Sequence, residues 1–173
     1  MDRAGNLLGA LGLVVADRMV DAVQDAAHQS VTTATALSAL HDFLDEPSVD
    51  LLRQVLGLTS SGTVRLVDRL EQAGYARRRQ GADGRTTSIT LTASGRRVAA
   101  RVAAARASVL EEALGALPAG ERPAFERSLA TMLVAMMRGP GATRWMCRLC
   151  DTGACGRPEG HCPVAAEASR RYG

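Results

Sequence analysis

All four cysteines of the chain lie within sixteen positions near its end, in the stretch CRLCDTGACGRPEGHCPV. Their spacing is Cys147-x2-Cys150-x4-Cys155-x6-Cys162, and a proline follows the last one. Thiolates are the form of cysteine that binds metals, and a cation at the centre of four thiolates offsets their mutual repulsion. In a reducing compartment a cluster of this kind favours metal ligation or redox sensing over structural disulfides. The pattern predicts that these four cysteines hold a metal centre.

Two metal chemistries fit this spacing. A zinc ion bound by four sulfurs has tetrahedral coordination with no open position, so it would stabilise the fold of the tail without redox chemistry. An iron-sulfur centre uses the same thiolates and adds sensitivity to oxidants. Gly153, Gly156 and Gly160 allow the chain to wrap tightly around a small centre. A disordered tail with reactive thiols, or a simple thiol switch, is the alternative without a metal, and His161 is expected to be an exposed loop residue rather than a ligand.

The rest of the chain must supply the body that carries this tail. With 173 residues it is long enough for one domain with a sizeable core plus an appendage. The apolar segment from Leu7 to Val15 is too short to span a bilayer and has no cleavage site after it. The sequence therefore predicts a cytoplasmic protein without a membrane partner.

The first half of the chain has helical periodicity. Apolar residues repeat at intervals of three and four from Asn6 to Ala27 and again from Val31 to Leu44, and Pro47 ends the second run. Ser48 is then predicted to cap a short helix that ends at Gly57.

Thr59 is predicted to cap the next helix, TSSGTVRLVDRLEQAGYA, which ends at Gly74. We expect Val64, Val67 and Leu70 to form its buried stripe, with Leu66 alongside. Two short helices with a tight connection are typical of a helix-turn-helix, whose second helix can enter the major groove of DNA.

A hairpin is expected after this pair of helices. The stretch ARRRQGADGRTTSITLT predicts a strand, a turn at residues 81–84 and a second strand whose Thr87, Ile89 and Leu91 share one face. Thr92 then caps a long helix to about Leu117, and a last helix covers roughly 121–138.

Positive charge is concentrated in this middle part of the chain. Eight arginines and three acidic residues lie between Thr59 and Arg97, so this segment has a net charge of +5 and the remainder one of −2. A basic patch on a slightly acidic body is typical of proteins that bind polyanions, because cations that neutralise phosphates release counterions.

These residues resemble a known family. The segment LLRQVLGLTSSGTVRLVDRLEQAGYARRRQGADGRTTSITLTASGRR is similar to the DNA-binding core of MarR-type winged-helix regulators, and its markers are the LGLT turn, the TVRLVDRLEQAGY helix, the DGR wing tip and LTASGRR at the start of the long helix. The resemblance implies a mainly α fold with a small β-hairpin wing. It also implies a homodimer, joined by its first helix and last two helices, on palindromic double-stranded DNA.

The expected DNA-binding residues follow from the buried stripe and from this resemblance. Side chains in the early turns of the recognition helix face the groove, and of these Arg65 is the best candidate for pairing with a guanine, with a phosphate contact as the alternative. Alternation on the first strand places Arg77 and Arg79 on one side, facing phosphates, and by the resemblance Arg85 contacts the minor groove or a phosphate. The predicted DNA-binding set is Ser60, Ser61, Thr63, Arg65, Arg77, Arg79 and Arg85.

The chain is thus predicted to have four parts: N-terminal dimerisation and support helices (1–46), a winged helix-turn-helix (47–97), C-terminal dimerisation helices (98–143) and a cysteine-rich metal-binding tail (144–173). The cysteine loop resembles those of SoxR-type iron-sulfur regulators, and its spacing is also similar to a zinc knuckle. We favour iron-sulfur, as a [2Fe–2S] cluster, because a dimer with long helices does not need a purely structural metal site for stability. Zinc is the alternative.

The predicted function is that of a MarR-type regulator whose DNA binding responds to redox change at the cluster. Because the tail follows the last dimerisation helix, a change at the cluster would alter the packing of that helix and the spacing of the two recognition helices. A winged-helix protein-interaction module is the alternative without DNA. No catalytic residues are predicted, since no phosphate-binding glycine loop, His-Glu metal helix or nucleophile elbow is present in the sequence.

Overall fold

A computed structural model of the chain describes residues 2–80 and 87–173, and this part is mainly helical with one β-hairpin. In chain order the elements are α1 Arg3–Ala27, α2 Val31–Ser38 with a π-helical turn Ala39–Phe43, α3 Val49–Leu56, α4 Ser60–Gln72, β1 Ala76–Gln80, β2 Thr87–Leu91, α5 Ala93–Gly115, α6 Arg122–Ala135, α7 Ala142–Met146 and α8 Pro163–Tyr172. The predicted fold class, a winged helix-turn-helix, is confirmed. No helix among these residues combines the length and apolar character needed to cross a bilayer.

The long helices α1 and α5 pack against each other, and α2 packs against both. The second half of α1 contributes Val23 and Ala27 to the core, and an exposed ion pair joins Arg18 of α1 to Glu112 of α5 at 2.6 Å. The first half of α1 and the whole of α6 bury no side chain completely. The exposed large apolar side chains of these two helices are Leu7, Leu8, Leu11, Leu13, Val14, Val20, Leu129 and Leu133, and Met136 follows directly after α6.

The main core lies where α2, α3, α4, α5 and the hairpin meet. Its largest fully buried side chains include Leu37, Leu52, Leu66, Leu70 and Ile89. Burying a side chain of this size stabilises the fold by about 1.5–3 kcal/mol relative to leaving it exposed. The helix-turn-helix is therefore attached to the body by a continuous apolar core.

Three helices begin at the residues predicted to cap them. The Ser48 hydroxyl accepts a hydrogen bond from the Leu51 amide at 3.1 Å, Thr59 does the same for Gly62 at 3.1 Å, and Thr92 does so for Gly95 at 3.0 Å. Each cap pairs an amide that has no partner inside its helix and contributes about 1 kcal/mol.

The predicted helix from Val31 to Leu44 is α2 followed by the π-helical turn. The Leu44 amide donates to the Ala39 carbonyl at 2.8 Å, one residue further back than in an α-helix. The chain then becomes extended at Leu44, and the Pro47 carbonyl accepts a hydrogen bond from the Ile89 amide at 2.9 Å. The support helix is thereby attached to the base of the hairpin.

The hairpin pairs β1 and β2 antiparallel, with Ala76 opposite Leu91 and Gln80 opposite Thr87. Ile89 and Leu91 are buried, as the alternation predicts, whereas Thr87 is only half-buried. The turn predicted at residues 81–84 lies outside the described residues.

The start of α5 lies directly against the backbone that leads into the hairpin. A Cβ atom added at Gly95 would lie 1.9 Å from the Tyr75 carbonyl oxygen. The Thr92 hydroxyl donates to the Gly74 carbonyl at 2.6 Å, and the Thr92 amide donates to the Tyr75 carbonyl at 2.9 Å. Only glycine fits this contact between two backbones.

Gly95→Ala should therefore lower the free energy of unfolding by about 1–3 kcal/mol, because the methyl group overlaps backbone atoms. Urea denaturation followed by circular dichroism measures the change. Gly115→Ala is the matched control at the end of the same helix, since a Cβ there meets nothing within 4 Å. Equal stability of the two variants would contradict the proposed close contact.

Candidate nucleic-acid interface and cysteine cluster

Helices α3 and α4 form the helix-turn-helix, and their connection turns at Gly57. This residue has φ of 65°, in the left-handed region that favours glycine, and its amide donates to the Arg53 carbonyl. Helix α4 begins at Ser60 and presents Ser60, Ser61 and Arg65 to solvent in its first turns. These three residues lie where the sequence predicts them.

The buried stripe of α4 differs from the prediction at two positions. Val64 is 45% exposed, whereas Thr63 is fully buried, so the predictions of a buried Val64 and an outward Thr63 are both wrong. The Thr63 hydroxyl donates to the Thr59 carbonyl at 2.9 Å and needs no outside partner. The true stripe consists of Thr63, Leu66, Val67 and Leu70, spaced at three and four residues, which places Val64 beside the outward-facing Arg65.

The three arginines of β1 divide between the two faces of the strand. Arg78 is bound by two carboxylates of α4: it contacts Asp68 at 2.6 Å and Glu71 through both its side chain and its amide. The hydrogen bond to Asp68 is the main reason that the pKa of Arg78 is raised, so its charge is fixed and internally paired. The prediction of Asp68 as a structural ion-pair partner is confirmed.

Arg77 and Arg79 lie on the other face and are exposed, as alternation predicts. Arg79 contacts Glu46 at 3.3 Å across the surface, a weak restraint because both side chains are solvated. Arg85 and the wing tip lie outside the described residues, and the contact predicted for Arg85 stays a prediction. Within the described residues, the outward positive charge near α4 consists of Arg65, Arg69, Arg77 and Arg79.

The four cysteines of the tail lie together in a second apolar cluster. Cys147 and Cys162 are each 5% exposed, Cys150 and Cys155 are half-buried, and all four are free thiols. The Cys155 thiol donates a hydrogen bond to the Thr152 carbonyl at 3.4 Å. The cluster also includes Met137, Ala142 and Val164, with Phe43, Val134 and Met146 packed at its edge.

The backbone of this loop turns at two of the three glycines singled out in the sequence. Gly156 and Gly160 have φ of 64° and 78°. A Cβ at Gly156 would lie 2.9 Å from the Cβ of His161, whose amide donates to the Gly156 carbonyl at 2.8 Å. His161 itself is exposed. The tight wrap of the chain brings Cys155 and Cys162 side by side.

The thiols affect one another's pKa values. The pKa of Cys150 is lowered to about 6, mainly by its interaction with Cys147; burial opposes this shift, and the charges of Arg106 and Arg157 favour it. The same interaction, followed by burial, raises the pKa of Cys147. Burial is the main cause of the raised pKa of Cys155. Cys150 is therefore the more acidic thiol of the Cys147–Cys150 pair.

The cluster is not a finished coordination site. Within residues 2–80 and 87–173, no three His, Cys, Asp or Glu side chains are arranged so that they could hold a metal ion. The thiols are neighbours in one apolar cluster, and metal binding would draw their sulfurs together around a cation. Four soft sulfur donors are the set that zinc and iron-sulfur centres take.

The tail docks on the DNA-binding domain through contacts that the sequence did not predict. Helix α7 packs against α3, where Arg144 donates to the side chain of Gln54, and α8 packs against α6. The Thr152 hydroxyl donates to the Asp42 carbonyl at 2.9 Å. The Arg157 guanidinium lies 5.0 Å from the centre of the Phe43 ring, at cation–π distance.

Sequence reasoning missed Arg106, Arg144 and Arg157 in this region. Arg157 lies between two of the cysteines, so its position in the loop was the available signal. Arg106 comes from the alanine-rich middle of α5, far from the cysteines in sequence, and nothing in its neighbourhood indicates a role.

The chain is similar to known proteins in sequence and in fold. Residues 30–86, about a third of the chain, match the model of the MarR family. The structure of the YusO protein from Bacillus subtilis has a TM-score of 0.62 at 20% identity and covers 75% of this chain and 91% of that one. A MarR-family transcriptional regulator from Rhodococcus sp. RHA1 has a TM-score of 0.57 at 22% identity, with the same 75% and 91% coverage.

A third structure is a point mutant of S. aureus MepR bound to an oligodeoxyribonucleotide, with a TM-score of 0.58 at 16% identity, covering 79% of this chain and 100% of that one. No curated protein has a significant sequence match to the chain. The chain therefore has the winged-helix fold of the MarR family, and its sequence matches that family over residues 30–86.

Proposed function

We propose that this protein is a MarR-type transcriptional regulator that binds palindromic double-stranded DNA as a homodimer. The observation that carries the proposal is the exposed start of α4, where Ser60, Ser61 and Arg65 project from a helix-turn-helix flanked by Arg77 and Arg79. The match to the MarR family and the DNA-bound MepR structure support it.

Each exposed residue has a role that follows from its chemistry. Arg65 can pair in bidentate fashion with a guanine in the major groove, while Ser60 and Ser61 hydrogen-bond base edges or phosphates. Arg77 and Arg79 contact phosphates, and Arg85 takes the minor groove or a phosphate by the resemblance to the family. Thr63 is excluded from this set because it is buried.

The homodimer is supported by apolar surfaces that the single chain leaves exposed. Leu7, Leu11 and Val14 on α1 and Leu129 and Leu133 on α6 are each more than a third exposed. Large apolar patches of this kind mark interaction sites. A two-fold pairing through these helices would present two copies of α4 to a duplex, which matches a palindromic site.

Arg65→Ala should weaken binding to a duplex selected from a random library about 10- to 100-fold and reduce discrimination at one base pair, because a bidentate contact is lost. Fluorescence anisotropy over a salt series measures both the affinity for DNA and the slope of log affinity against log salt concentration. Arg77→Ala should weaken binding to all DNA sequences equally and reduce the magnitude of this slope by about one, because a phosphate contact is lost.

Arg101→Ala, on α5 outside α4 and the hairpin, is the control that removes the same charge and should bind normally. If Arg65→Ala weakened every sequence equally, Arg65 would be a phosphate contact. Binding that is absent or insensitive to salt would favour the protein-interaction module instead.

We further propose that Cys147, Cys150, Cys155 and Cys162 hold a [2Fe–2S] cluster, with zinc as the alternative. The proposal is supported by the chemistry of the donor set: four free thiols lie in one apolar cluster, and two of them are almost fully buried. A bound cluster would supply an electron-accepting, oxidant-sensitive centre. The proposal assigns the protein to the reducing cytoplasm, where such thiols persist.

Protein purified without oxygen should be brown, with visible absorbance and about two irons and two sulfides per chain. Cys150→Ser should lose most of this content, because a thiolate ligand is removed, and His161→Ala is the matched control that should keep it. A colourless protein with one zinc per chain would select the zinc alternative. Protein without either metal, even after reconstitution, would contradict the metal site.

The tail contacts suggest how the cysteine site acts on DNA binding. The tail lies against α3 through Arg144 and Gln54, against the π-helical turn through Thr152 and Asp42, and against α6 through α8. A change at the site can therefore shift both the helix-turn-helix and the last dimerisation helix. Such coupling requires that the two states of the site stabilise different arrangements of these helices.

Removing the metal should change the affinity for DNA about fivefold or more, within the range usual for coupled sites. In Thr152→Val, the ratio of the DNA affinities of the metal-loaded and metal-free protein should move toward one, because the hydrogen bond to the Asp42 carbonyl is lost. The metal content should not change. Anisotropy with metal-loaded and metal-free protein measures the ratio. Thr131→Val is the control, since that hydroxyl bonds only within α6, to the Arg127 carbonyl. An unchanged ratio in Thr152→Val would contradict this route.

A further inference from the structure

The first half of α1 extends beyond the body of its own chain. Arg101 Nε of α5 donates to the Ala26 carbonyl at 3.3 Å, and Arg18 pairs with Glu112 at 2.6 Å, so the two helices run antiparallel. Because α5 ends shortly after Glu112, it reaches α1 only as far as about residue 15. Residues 4–16, which we call the arm, therefore project largely past the end of α5.

The arm is apolar although it projects from the body. No charged residue lies between Arg3 and Asp17. Leu7, Leu11 and Val14 share one helical face, and each is roughly half exposed. An exposed apolar surface of this kind marks an interaction site. The arm thus needs a partner that the described part of its own chain does not provide.

The opposite face of the arm carries small residues. Gly9 and Gly12 lie inside α1, where glycine destabilises a helix relative to alanine. A Cβ atom added at either position would meet nothing within 4 Å among the described residues. The packing of the single chain therefore does not require glycine there. A second chain that lies close to the backbone of the arm would require it.

A groove between α6 and the cysteine loop, residues 147–162, matches the arm in length. Its volume is about 690 Å³, and its lining follows α6 from Arg122 to Leu133. This stretch of helix is about 17 Å long, and the arm is about 18 Å long. Phe125, Leu129 and Leu133 provide an apolar wall along α6. The groove is thus long enough to take the whole arm.

The other wall of the groove is formed by the cysteine loop and the start of α8. The lining residues there are Ala154, Cys155, Gly156, His161 and Pro163. Within the described residues, α1 packs mainly against α5 and α2, whereas α6 packs against α8. The arm of the same chain therefore lies away from this groove, and the arm of a second copy can enter it.

On the basis of the homodimer proposed above, we propose that the arm of each chain lies in the groove of its partner, so that the cysteine loop forms part of the dimer interface. Leu7, Leu11 and Val14 pack against the apolar wall of α6. Gly9 and Gly12 face the cysteine loop and let its backbone come close. The exchange is two-fold, since each chain gives an arm and receives one. The conformation of the loop and the stability of the dimer then depend on each other.

Sedimentation equilibrium of the full chain measures the strength of the dimer. Ala154→Glu should raise the dimer dissociation constant about 10-fold or more, because a charge on the groove wall meets the uncharged arm. Gly12→Leu should raise it about 10- to 100-fold, because the larger side chain separates the arm from the loop. Both positions are exposed in the single chain, so the circular dichroism spectrum should not change. Ala73→Glu, at the exposed end of α4, is the matched control for Ala154→Glu and should dimerise like the parent chain.

Photo-crosslinking identifies what the arm contacts. Leu11→benzoylphenylalanine, on the large apolar face, should crosslink to residues 122–133 of the partner. Leu13→benzoylphenylalanine, next to the glycine face, should crosslink to residues 154–163. A mixture of isotopically light and heavy chains distinguishes crosslinks between chains from those within one chain.

Crosslinks confined to one chain, or to α1 and α5 of the partner, would overturn the proposal and keep the homodimer. A dimer of Ala154→Glu as tight as that of Ala73→Glu would do the same, by assigning the groove to another occupant such as a small apolar ligand. If the parent chain is monomeric at all concentrations, the proposed homodimer fails, and this inference fails with it.

Discussion

Burial of one face of α4 determines which side chains of the helix-turn-helix meet solvent. Leu66, Val67 and Leu70 lie in the main core, and Thr63 fills the fourth position by bonding its hydroxyl to its own helix. A rotation of α4 about its axis would expose leucines and bury Arg65, at a cost of several kcal/mol. The outward position of Ser60, Ser61 and Arg65 is thus a consequence of core packing.

Local rules predicted much of this domain from the sequence. The caps at Ser48, Thr59 and Thr92 follow from hydroxyl chemistry at helix starts, and the hairpin faces follow from strand alternation. The predicted buried stripe of α4 was wrong at one position, where Thr63 is buried in place of Val64. Valine is ordinarily the more buried residue type and threonine the more exposed. One residue corresponds to a rotation of about 100° on a helix, so this exchange moved Thr63 from the predicted groove face into the core.

The contacts of the tail with the rest of the chain could not be predicted from local sequence patterns. Cysteine spacing and glycine positions anticipated the turn at Gly156, because those signals lie within the loop itself. The contacts with Gln54, Asp42 and Phe43, and the approach of Arg106, depend on how distant segments pack, and no spacing in the sequence encodes them. The second apolar cluster around Met137 and Val164 is what brings these segments together.

The absence of a side chain at Gly95 has a mechanical consequence. Where α5 meets Tyr75, backbone lies on backbone, and no layer of rotamers separates them that could absorb a displacement. This direct backbone contact, together with the hydrogen bonds from Thr92, couples the start of the long helix to the base of the hairpin. A displacement of the start of α5 would therefore be transmitted directly to the hairpin.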